Sequence, residues 1–208
     1  IDARFDPKYG TDTARRIPRE QIETNSENIV HCVNYGASKE LPFRKLMQRL
    51  QLPRDGVFVD LGSGKGRALM LAAKYGFRKV IGIEFSGALC AVARDNLQKF
   101  LRKFPSQSTI EVVESDVTKY EFRDEETTFF MLDPFNAPVL TQVLANIRTS
   151  VERCPRKIWL IYSVPREQHI IDQSGLFTHS EVYVVVGAEF RVYSNNPTAN
   201  PESLGELN

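Results

Sequence analysis

The segment Val57–Arg67, with the sequence VFVDLGSGKGR, constrains the fold of this chain more than any other. Its apolar residues end on Asp60, and a glycine-rich turn then leads into an apolar pattern at helical spacing. This order predicts a buried strand, a tight turn and a helix, as in a nucleotide-type site at the carboxyl end of a parallel strand. Because Gly62, Gly64 and Gly66 carry no Cβ, they let the backbone come close to a ligand.

Apolar strands and amphipathic helices alternate along the rest of the chain. The predicted strands are Val57–Leu61, Val80–Glu84, Thr109–Glu114, Thr127–Leu132, Ile158–Ser163, Glu181–Val186 and Glu189–Ser194. The predicted helices are Arg67–Tyr75, Leu89–Phe104, Val139–Val151 and Pro165–Ser174, with an earlier helix that Pro42 opens. This alternation predicts an α/β fold, in which helices cover both faces of a mostly parallel sheet. A short turn at Gly187 joins the last two strands and predicts an antiparallel hairpin at the edge.

The residues before and after this pattern are polar. Residues 1–38 contain several Pro and Gly residues and predict an irregular segment, with one short helix over Arg19–His31. We therefore expect an N-terminal irregular and helical lid over residues 1–52, followed by a ligand-binding domain over 53–194. Residues 195–208 are expected to form a loose polar tail.

Composition and charge narrow the range of functions. A chain of 208 residues is long enough for one large domain without disulfides. Its formal net charge of +1 gives no electrostatic case for a nucleic-acid partner, which usually needs a strong basic excess. Three cysteines without CxxC spacing and three scattered histidines predict reduced thiols inside the cell and no metal site. No apolar run approaches the roughly 20 residues of a membrane span, and no signal peptide is visible after Ile1, before which we expect further native residues.

Three kinds of ligand compete for the glycine-rich turn. A phosphate-binding P-loop requires GxxxxGK followed by Ser or Thr, whereas here Gly66 follows Lys65 and Val59 replaces the first glycine. A dinucleotide fingerprint requires GxGxxG, whereas the spacing here is GxGxG, and the carboxylate of Asp60 would repel a pyrophosphate. S-adenosylmethionine remains, since its sulfonium and ammonium groups are cations that Asp60 can hold, directly or through water.

Two further acids follow the next two predicted strands. Glu84 lies about 20 residues beyond the glycine-rich turn, where a carboxylate accepts hydrogen bonds from ribose hydroxyls. Phe85 follows it and can cover one face of an adenine ring. At the end of the third strand, we expect Asp116 to accept from the adenine amino group and the backbone N–H of Val117 to donate to the ring. Because the carboxyl ends of parallel strands meet at one edge of a sheet, these residues and Asp60 predict a single site.

With these residues in place, the chain resembles the class I S-adenosylmethionine-dependent methyltransferases over about Val57–Ser194. In that family the glycine loop, the ribose acid and the adenine acid correspond to Asp60–Gly66, Glu84 and Asp116. The resemblance implies a Rossmann-like, doubly wound sheet of seven strands in the order 3-2-1-4-5-7-6, with strand 7 antiparallel. It also implies S-adenosylmethionine as the cofactor and S-adenosylhomocysteine as its product. The contacts expected within the loop are Asp60, Gly62, Ser63, Gly64 and Gly66.

The N-terminal sequences FDPKYGTDT, Ser26–Asn28 and NYGAS are similar to those of a poorly characterised bacterial subgroup, in which they precede the same glycine loop. That subgroup is often compared with the non-SET histone lysine methyltransferases. With this segment as a lid, Tyr35 and Ser38 are the polar candidates for binding the methionine carboxylate, because they lie just before the helix that leads into the glycine strand. Lys65 and Arg67, at the start of the following helix, either face solvent, which is the expectation, or meet that carboxylate.

The sequence Leu132–Asn136, LDPFN, ends the fourth strand beside the expected methyl group. It resembles the motif of methyltransferases that act on nitrogen, with one proline in place of two. Asp133 and the carbonyl of Pro134 can hold an amine N–H, and Asp133 can also accept the proton that an ammonium must lose. Phe135 can flank the incoming group. Asp133 and Asn136 are therefore the candidate catalytic residues, and Asp133 is also a candidate cofactor contact.

These observations predict a cytoplasmic methyltransferase that acts on an amine nitrogen of a protein lysine or of a small molecule. Tyr162 and Ser163, at the end of the fifth strand, either line the acceptor pocket or are ordinary sheet-end residues. The alternatives are a small-molecule O-methyltransferase, which usually needs a His or Lys base or a metal cluster, a non-catalytic module of the same fold, and a nicotinamide-dependent oxidoreductase. We expect no membrane partner, and the charge disfavours nucleic acid without excluding it. The acceptor and the oligomeric state stay open.

Overall fold

The computed structural model describes residues 3–196, which form a sheet of seven strands. The strands are β1 (Val57–Leu61), β2 (Lys79–Glu84), β3 (Thr109–Glu114), β4 (Glu126–Leu132), β5 (Trp159–Ser163), β6 (His179–Val185) and β7 (Ala188–Ser194). Their order is β3-β2-β1-β4-β5-β7-β6. Strands β1 to β5 pair in parallel, and β7 pairs antiparallel with both β5 and β6. The predicted topology is confirmed.

Helices pack on both faces of this sheet. They are α1 (Phe5–Tyr9), α2 (Glu40–Leu50), α3 (Arg67–Tyr75), α4 (Gly87–Lys103), α5 (Ala137–Arg153) and α6 (Gln168–Ser174). Short 3₁₀ helices lie at Arg19–Gln21, Glu27–His31 and Val117–Lys119. None of these helices is long and apolar enough to cross a membrane.

Two hydrophobic cores lie on opposite faces of the sheet. Along β1, Phe58 belongs to one core and both Val57 and Val59 belong to the other, because successive side chains of a strand point to opposite faces. In the first core, the rings of Phe58, Phe43 and Phe130 lie between 5.4 and 6.1 Å apart. Burial on both faces explains why the central strands appear in the sequence as nearly continuous apolar runs.

The N-terminal segment departs from its predicted structure between residues 19 and 31. The single helix predicted over Arg19–His31 is wrong, since two separate 3₁₀ turns occupy this stretch. Between them, Thr24 Oγ1 accepts a hydrogen bond from the backbone N–H of Ser26, and Ser26 Oγ accepts one from the N–H of Asn28. Side chains that bond the nearby backbone in this way compete with a continuous helix.

Helix α1 lies within the stretch that was predicted to be irregular. Phe5 and Tyr9 are four residues apart, so they lie on the same side of the helix, and both are buried. The ring of Tyr9 lies 4.9 Å from that of Phe100 in α4. A five-residue helix is not stable alone, so packing against α4 holds it in place, and that packing is not visible in local sequence.

Two boundaries near the C-terminus also differ from those predicted. Helix α6 begins at Gln168 and not at Pro165, because Arg166 and Glu167 form a turn in which the N–H of Arg166 donates to the carbonyl of Val164. Asn195, the first residue of the predicted tail, is buried, and its Oδ1 accepts a hydrogen bond of 2.8 Å from the N–H of Ile158. The rest of the predicted tail, from residue 197 onward, lies outside the described residues.

Candidate functional site

The glycine loop between β1 and α3 has a left-handed backbone at three positions. Gly62, Gly64 and Gly66 have φ values of +80°, +52° and +83°. A Cβ at Gly62 would lie 2.8 Å from the Cβ of Pro134, and one at Gly64 would lie 2.3 Å from the ring of Tyr35. The loop therefore needs glycine both for its conformation and because two distant parts of the chain pack directly against it.

Asp60 and Glu84 end adjacent strands beneath this loop, and each is 4% exposed. Glu84 Oε2 accepts a hydrogen bond of 2.9 Å from the N–H of Gly64, and its Oε1 accepts one of 3.0 Å from the N–H of Ser86. Burial, together with the nearby charge of Glu84, raises the pKa of Asp60 to about 8. Burial also raises the pKa of Glu84, although its backbone hydrogen bonds oppose this shift. Two buried acids side by side stabilise a cation placed between them and the loop.

Most of the predicted cofactor residues line one cavity above these acids. The cavity encloses about 860 Å³, counting the open solvent at its mouth. The predicted residues in its wall are Tyr35, Ser38, Asp60, Gly62, Ser63, Gly64, Glu84, Phe85, Asp116 and Val117. Gly66, Asp133 and Asn136 lie outside that wall, with Gly66 placed at the start of α3.

Asp116 has a role that the sequence did not predict. Its Oδ1 accepts from the backbone N–H and the hydroxyl of Thr118, and its Oδ2 accepts from the Ser26 hydroxyl and the side-chain amide of Asn28. Burial alone would raise the pKa of Asp116, but these hydrogen bonds outweigh it and hold the pKa below its ordinary value. Because a carboxylate offers about four acceptor positions, an adenine amino group would have to displace Ser26 or Asn28. The predicted contact with adenine stays a prediction.

The N-terminal segment supplies one side of the cavity. Asn28, Cys32 and Val33 are in its wall and were not predicted as site residues. Thr24 Oγ1 donates a hydrogen bond of 3.2 Å to the backbone carbonyl of Phe85. Two short antiparallel bridges, Ile17 with Tyr35 and Cys32 with Phe135, hold the segment against itself and against the residues after β4. In the sequence, only the resemblance of Ser26–Asn28 and NYGAS to other chains pointed to this segment. That resemblance did not indicate which contacts these residues make.

The expectation that Lys65 and Arg67 face solvent is wrong. The side chain of each is 3% exposed. The ammonium of Lys65 lies 3.0 Å from a carboxylate oxygen of Asp12, and the guanidinium of Arg67 lies 3.2 Å from one of Asp6. Residues 6 to 13 fold over the start of α3, so these cations anchor the N-terminal segment. Local sequence gave no sign of this contact, because more than fifty residues separate the partners.

Asp133 follows β4 with a φ of +41°, a conformation that is uncommon for a residue other than glycine. Its Oδ1 accepts a hydrogen bond of 2.7 Å from the hydroxyl of Tyr162, and its Oδ2 pairs with the guanidinium of Arg166. Its side chain is 7% exposed, whereas that of Arg166 is 63% exposed. The buried Tyr162 therefore holds Asp133, and a solvent-accessible arginine covers it.

The residues after Asp133 are tied to the N-terminal segment. The carbonyl of Pro134, which was expected to hold an amine N–H, accepts a hydrogen bond of 3.2 Å from the N–H of Val33. The N–H of Asn136 donates one of 2.9 Å to the carbonyl of His31. The side-chain Oδ1 of Asn136 is buried and has no hydrogen-bond partner among residues 3–196. Because a carbonyl oxygen has two lone pairs, the bond from Val33 leaves one acceptor position on Pro134, and the use of this carbonyl to hold an amine stays a prediction.

A second cavity lies next to the first, and Asp133 is in its wall. Residues of the N-terminal segment, the start of α3 and the end of β4 lie between the two cavities, which share Val33, Asn34, Gly36, Ala37, Arg67 and Leu132. A molecule in the second cavity would therefore lie beside a ligand in the first. This arrangement suits a donor in one cavity and an acceptor in the other.

Comparison with known families and structures bears on this arrangement. The model of the family described as histone methylation protein DOT1 matches residues 24–133, more than half of the chain. That range begins in the N-terminal segment and ends on Asp133, so it includes the glycine loop and the three strand-end acids. A search of curated proteins found no match.

Solved structures with the same fold are numerous. An RNA methyltransferase from Salinibacter ruber, in complex with S-adenosylhomocysteine, superposes with a TM-score of 0.58 and 20% identity, covering 81% of this chain and 99% of that one. A precorrin-6y C5,15-methyltransferase from Geobacter metallireducens has a TM-score of 0.59 and 13% identity, covering 86% and 99%. A methyltransferase from Aquifex aeolicus, dependent on S-adenosylmethionine, has a TM-score of 0.58 and 19% identity, covering 74% and 90%. At these identities the likeness shows the fold.

The residues of the first cavity fit S-adenosylmethionine. The cofactor is a cation at its sulfonium and ammonium groups, and the buried Asp60 and Glu84 form no ion pair with any residue between 3 and 196. Two left-handed glycines, Gly62 and Gly64, bring the loop backbone to the cavity wall. Fold, cavity and family match agree: this chain belongs to the histone methylation protein DOT1 family, and it is a methyltransferase that uses S-adenosylmethionine.

Proposed function

We propose that this methyltransferase transfers a methyl group to an amine nitrogen that is held at Asp133. The observation that supports this most directly is the position of the Asp133 carboxylate, in the wall of a second cavity that shares Val33 and Leu132 with the first. A carboxylate can both orient an amine N–H and accept the proton of an ammonium. Methyl transfer to nitrogen needs little other acid–base chemistry, so holding the two reactants in line supplies most of the rate enhancement.

In this proposal the first cavity holds the cofactor in the direction that the sequence predicted. Bound S-adenosylmethionine supplies an electrophilic methyl group. Asp60 and the glycine loop contact its methionine half, and the remaining acceptor positions of Glu84 bind the ribose hydroxyls. Phe85 and the N–H of Val117 contact the adenine. Tyr35 donates its hydroxyl to the carbonyl of Thr13, so it positions the segment that covers the methionine half and need not bind the carboxylate itself.

Two neighbouring side chains hold the Asp133 carboxylate in place before the acceptor binds. Tyr162 fixes one carboxylate oxygen through a 2.7 Å hydrogen bond. Arg166 pairs with the other oxygen, and because its side chain is largely exposed it can leave without disrupting the core. An incoming ammonium would take the place of the guanidinium and keep the charge of Asp133 balanced. The left-handed backbone at Asp133 is the kind of strain that is concentrated at functional sites.

The N-terminal segment serves as the lid of this site. Thr24 and Ser26 bond to residues that follow β2 and β3, and Val33 bonds to the residue after Asp133. The same segment therefore touches both the adenine end and the methyl end of the first cavity. Removal of this segment would expose the first cavity to water and would remove the contacts that link its adenine end to its methyl end.

The test combines binding with transfer. Calorimetry should show micromolar binding of S-adenosylmethionine and S-adenosylhomocysteine, and labelled methyl groups should appear in the protein, nucleic-acid or small-molecule fraction of a cell lysate. Asp133→Asn should bind S-adenosylhomocysteine within about twofold of the native protein and lose at least about 100-fold in transfer. Asp55→Asn, at an exposed turn, is the matched control. Full transfer by Asp133→Asn would exclude the proposed role, and cofactor binding without transfer to any fraction would favour a non-catalytic module.

A further inference from the structure

The opening of the second cavity carries an excess of positive charge. Three solvent-exposed cations line it, and Asp133 is the one carboxylate among the described residues of its wall. The cations are Arg16, Lys39 and Arg166. All three are exposed to solvent. Arg67 also lines the cavity, but it is buried and paired with Asp6, so it adds little to the charge at the opening.

Two of these cations have no counterion. Arg166 pairs with Asp133, whereas Arg16 and Lys39 form no ion pair with any residue between 3 and 196. The whole chain has a formal net charge of only +1, so this pair is a local concentration that the overall count conceals. Charges of one sign around a concave opening raise the local concentration of ligands of the opposite sign.

Behind these cations, the wall of the second cavity contains apolar residues and one strained turn. Val33, Ala37 and Leu132 line it, and Val164 is 48% exposed at its edge. Val164 has a φ of +57°, which is exceptional for a β-branched residue. Its carbonyl accepts a hydrogen bond of 2.8 Å from the N–H of Arg166, so the strained turn places that arginine over Asp133. The cavity thus offers an apolar wall, a carboxylate beside it and two unpaired cations at the rim.

We propose that the methyl acceptor carries a phosphate group, and that Arg16 and Lys39 bind this phosphate while Asp133 holds the acceptor amine. This inference rests on the proposed function, because it assigns the second cavity to the acceptor. Arginine binds phosphate through two parallel N–H bonds, and lysine binds it as a point charge. A lysine-rich peptide would instead bring positive charge against Arg16, Lys39 and Arg166, which disfavours it as a substrate. The phosphate belongs either to a free nucleotide or to the backbone of a nucleic acid.

The experiment compares a double variant, Arg16→Gln with Lys39→Gln, with a control, Lys45→Gln with Arg102→Gln. The control residues are exposed, lie outside both cavities and form no ion pair among the described residues. Every measurement includes saturating S-adenosylhomocysteine, so that no probe enters the first cavity. The probes are uridine 5′-monophosphate, inorganic phosphate, a labelled single-stranded RNA of mixed sequence and a lysine-rich peptide of similar length.

We expect the native protein to bind the phosphate probes more tightly than the peptide. The double variant should bind them at least about 10-fold more weakly, and the control should change by less than about twofold. For the RNA, loss of the one phosphate that Arg16 and Lys39 neutralise should reduce the slope of log affinity against log salt by about 0.7. Much tighter binding of RNA than of the nucleotide assigns the phosphate to a nucleic acid, and equal binding assigns it to a small phosphorylated substrate.

The inference is overturned if the double variant binds the phosphate probes like the native protein, if the control weakens equally, or if the peptide binds best. Absence of measurable phosphate binding at millimolar concentration also overturns it. Calorimetry with S-adenosylhomocysteine on both variants shows that they are folded, and it separates this inference from the proposed function. Loss of cofactor binding in the native protein would contradict the proposed function, whereas intact cofactor binding without a phosphate effect contradicts this inference alone.

Discussion

The carboxyl groups of Asp60 and Glu84 are buried together at the ends of two adjacent parallel strands, directly beneath the glycine loop. Glu84 accepts hydrogen bonds from the backbone on both sides of it, at Gly64 and Ser86. No residue between 3 and 196 donates a hydrogen bond to the Asp60 carboxyl group, and burial together with the charge of Glu84 raises its pKa to about 8. The ionised form of Asp60 is therefore unfavourable in the folded protein, and a bound cation would stabilise it.

The first prediction concerns stability without cofactor. The pKa of Asp60 is about 8 in the folded protein, against about 3.9 in an unfolded chain. Between these values the folded state binds a proton that the unfolded state does not, so the stability contributed by this group falls as the pH rises from about 4 to about 8. Asp60→Asn removes the charge and should raise the free energy of unfolding at pH 8.5 by an amount on the order of a few kcal/mol.

Urea unfolding at pH 5 and pH 8.5 measures this effect. The difference between Asp60→Asn and the native protein should be small at pH 5 and large at pH 8.5. Asp55→Asn changes an exposed aspartate to the same residue and should show no such pH dependence. A variant that is less stable than the native protein at pH 8.5 would contradict the assigned burial of charge.

The second prediction concerns protons released on cofactor binding. With a pKa of about 8, most Asp60 side chains are protonated at pH 7, and a cationic ligand favours the ionised form. Binding of S-adenosylmethionine at pH 7 should therefore release roughly 0.9 proton in the native protein and almost none in Asp60→Asn. Calorimetry in two buffers with different ionisation enthalpies measures this number directly. An identical proton count for both proteins would show that Asp60 does not meet the cation.

The third prediction concerns the contact between Gly64 and Tyr35. Gly64→Ala combines a left-handed backbone with a Cβ only 2.3 Å from the Tyr35 ring. It should lose about 2–4 kcal/mol of stability, through strain and displacement of the ring. Gly175→Ala is the matched control, because Gly175 has a φ of +65° and nothing within 4 Å of the added Cβ. That control should lose about 1–2 kcal/mol, from the backbone alone.

Combining Gly64→Ala with Tyr35→Ala separates the two causes. If the ring produces the excess loss, the double variant will be more stable than the sum of the single effects predicts, by at least about 0.5 kcal/mol. Thermal unfolding of the four proteins completes the cycle. Strict additivity would show that the ring moves aside freely and that Tyr35 does not constrain the loop.

The fourth prediction concerns Asp116 and the attachment of the N-terminal segment. Asp116→Asn weakens the hydrogen bonds from Ser26 and Asn28, and bonds to a charged group are worth about 1.5–3 kcal/mol when well formed. Because the site is partly exposed, we expect amide exchange of residues 24–38 to speed up by about 10-fold, with little change in the central strands. Hydrogen exchange measured by mass spectrometry tests this. Uniform acceleration across the chain would indicate global destabilisation instead.

Attachment of the N-terminal segment through Asp116 should weaken as the pH falls, whereas the stability contributed by Asp60 falls as the pH rises. The pKa of Asp116 lies below its ordinary value, so its contribution is present above about pH 4 and is lost as the pH falls through the lowered pKa. Exchange of residues 24–38 should thus accelerate in acid before the central strands do. Asp116→Asn should lack this acid-dependent step.

Much of one cavity wall was predictable because several of its residues follow consecutive strands. Asp60, Glu84 and Asp116 are far apart in the chain, but the carboxyl ends of parallel strands meet at one edge of the sheet. Periodicity and the spacing of glycines were enough to predict the strands, the helices and the glycine loop, whereas the order of the strands came from the resemblance to a known family. Ten of the predicted residues line the cavity, and their contacts with the cofactor stay a prediction.

Other features depended on contacts that no local pattern encodes. The burial of Lys65 and Arg67, the packing of Tyr35 on Gly64 and the pairing of Asp133 with Arg166 all join residues that are 29 to 61 positions apart. A polar residue gives the same signal in sequence whether it faces solvent or a distant partner. For this reason the N-terminal segment was predicted as irregular, although its side chains form one wall of the cavity.

The sequence by itself determined the fold and the type of cofactor, because alternating apolar strands, the GxGxG spacing and an acid at each of three strand ends admit few alternatives. The tertiary structure decided how these acids are used. It buries Asp60 against Glu84 so that a cation is favoured, it commits Asp116 to holding the N-terminal segment, and it covers Asp133 with Arg166. The physical reason is that the ionisation and hydrogen bonding of a carboxylate depend on burial and on partners in space, which the order of residues along the chain does not specify.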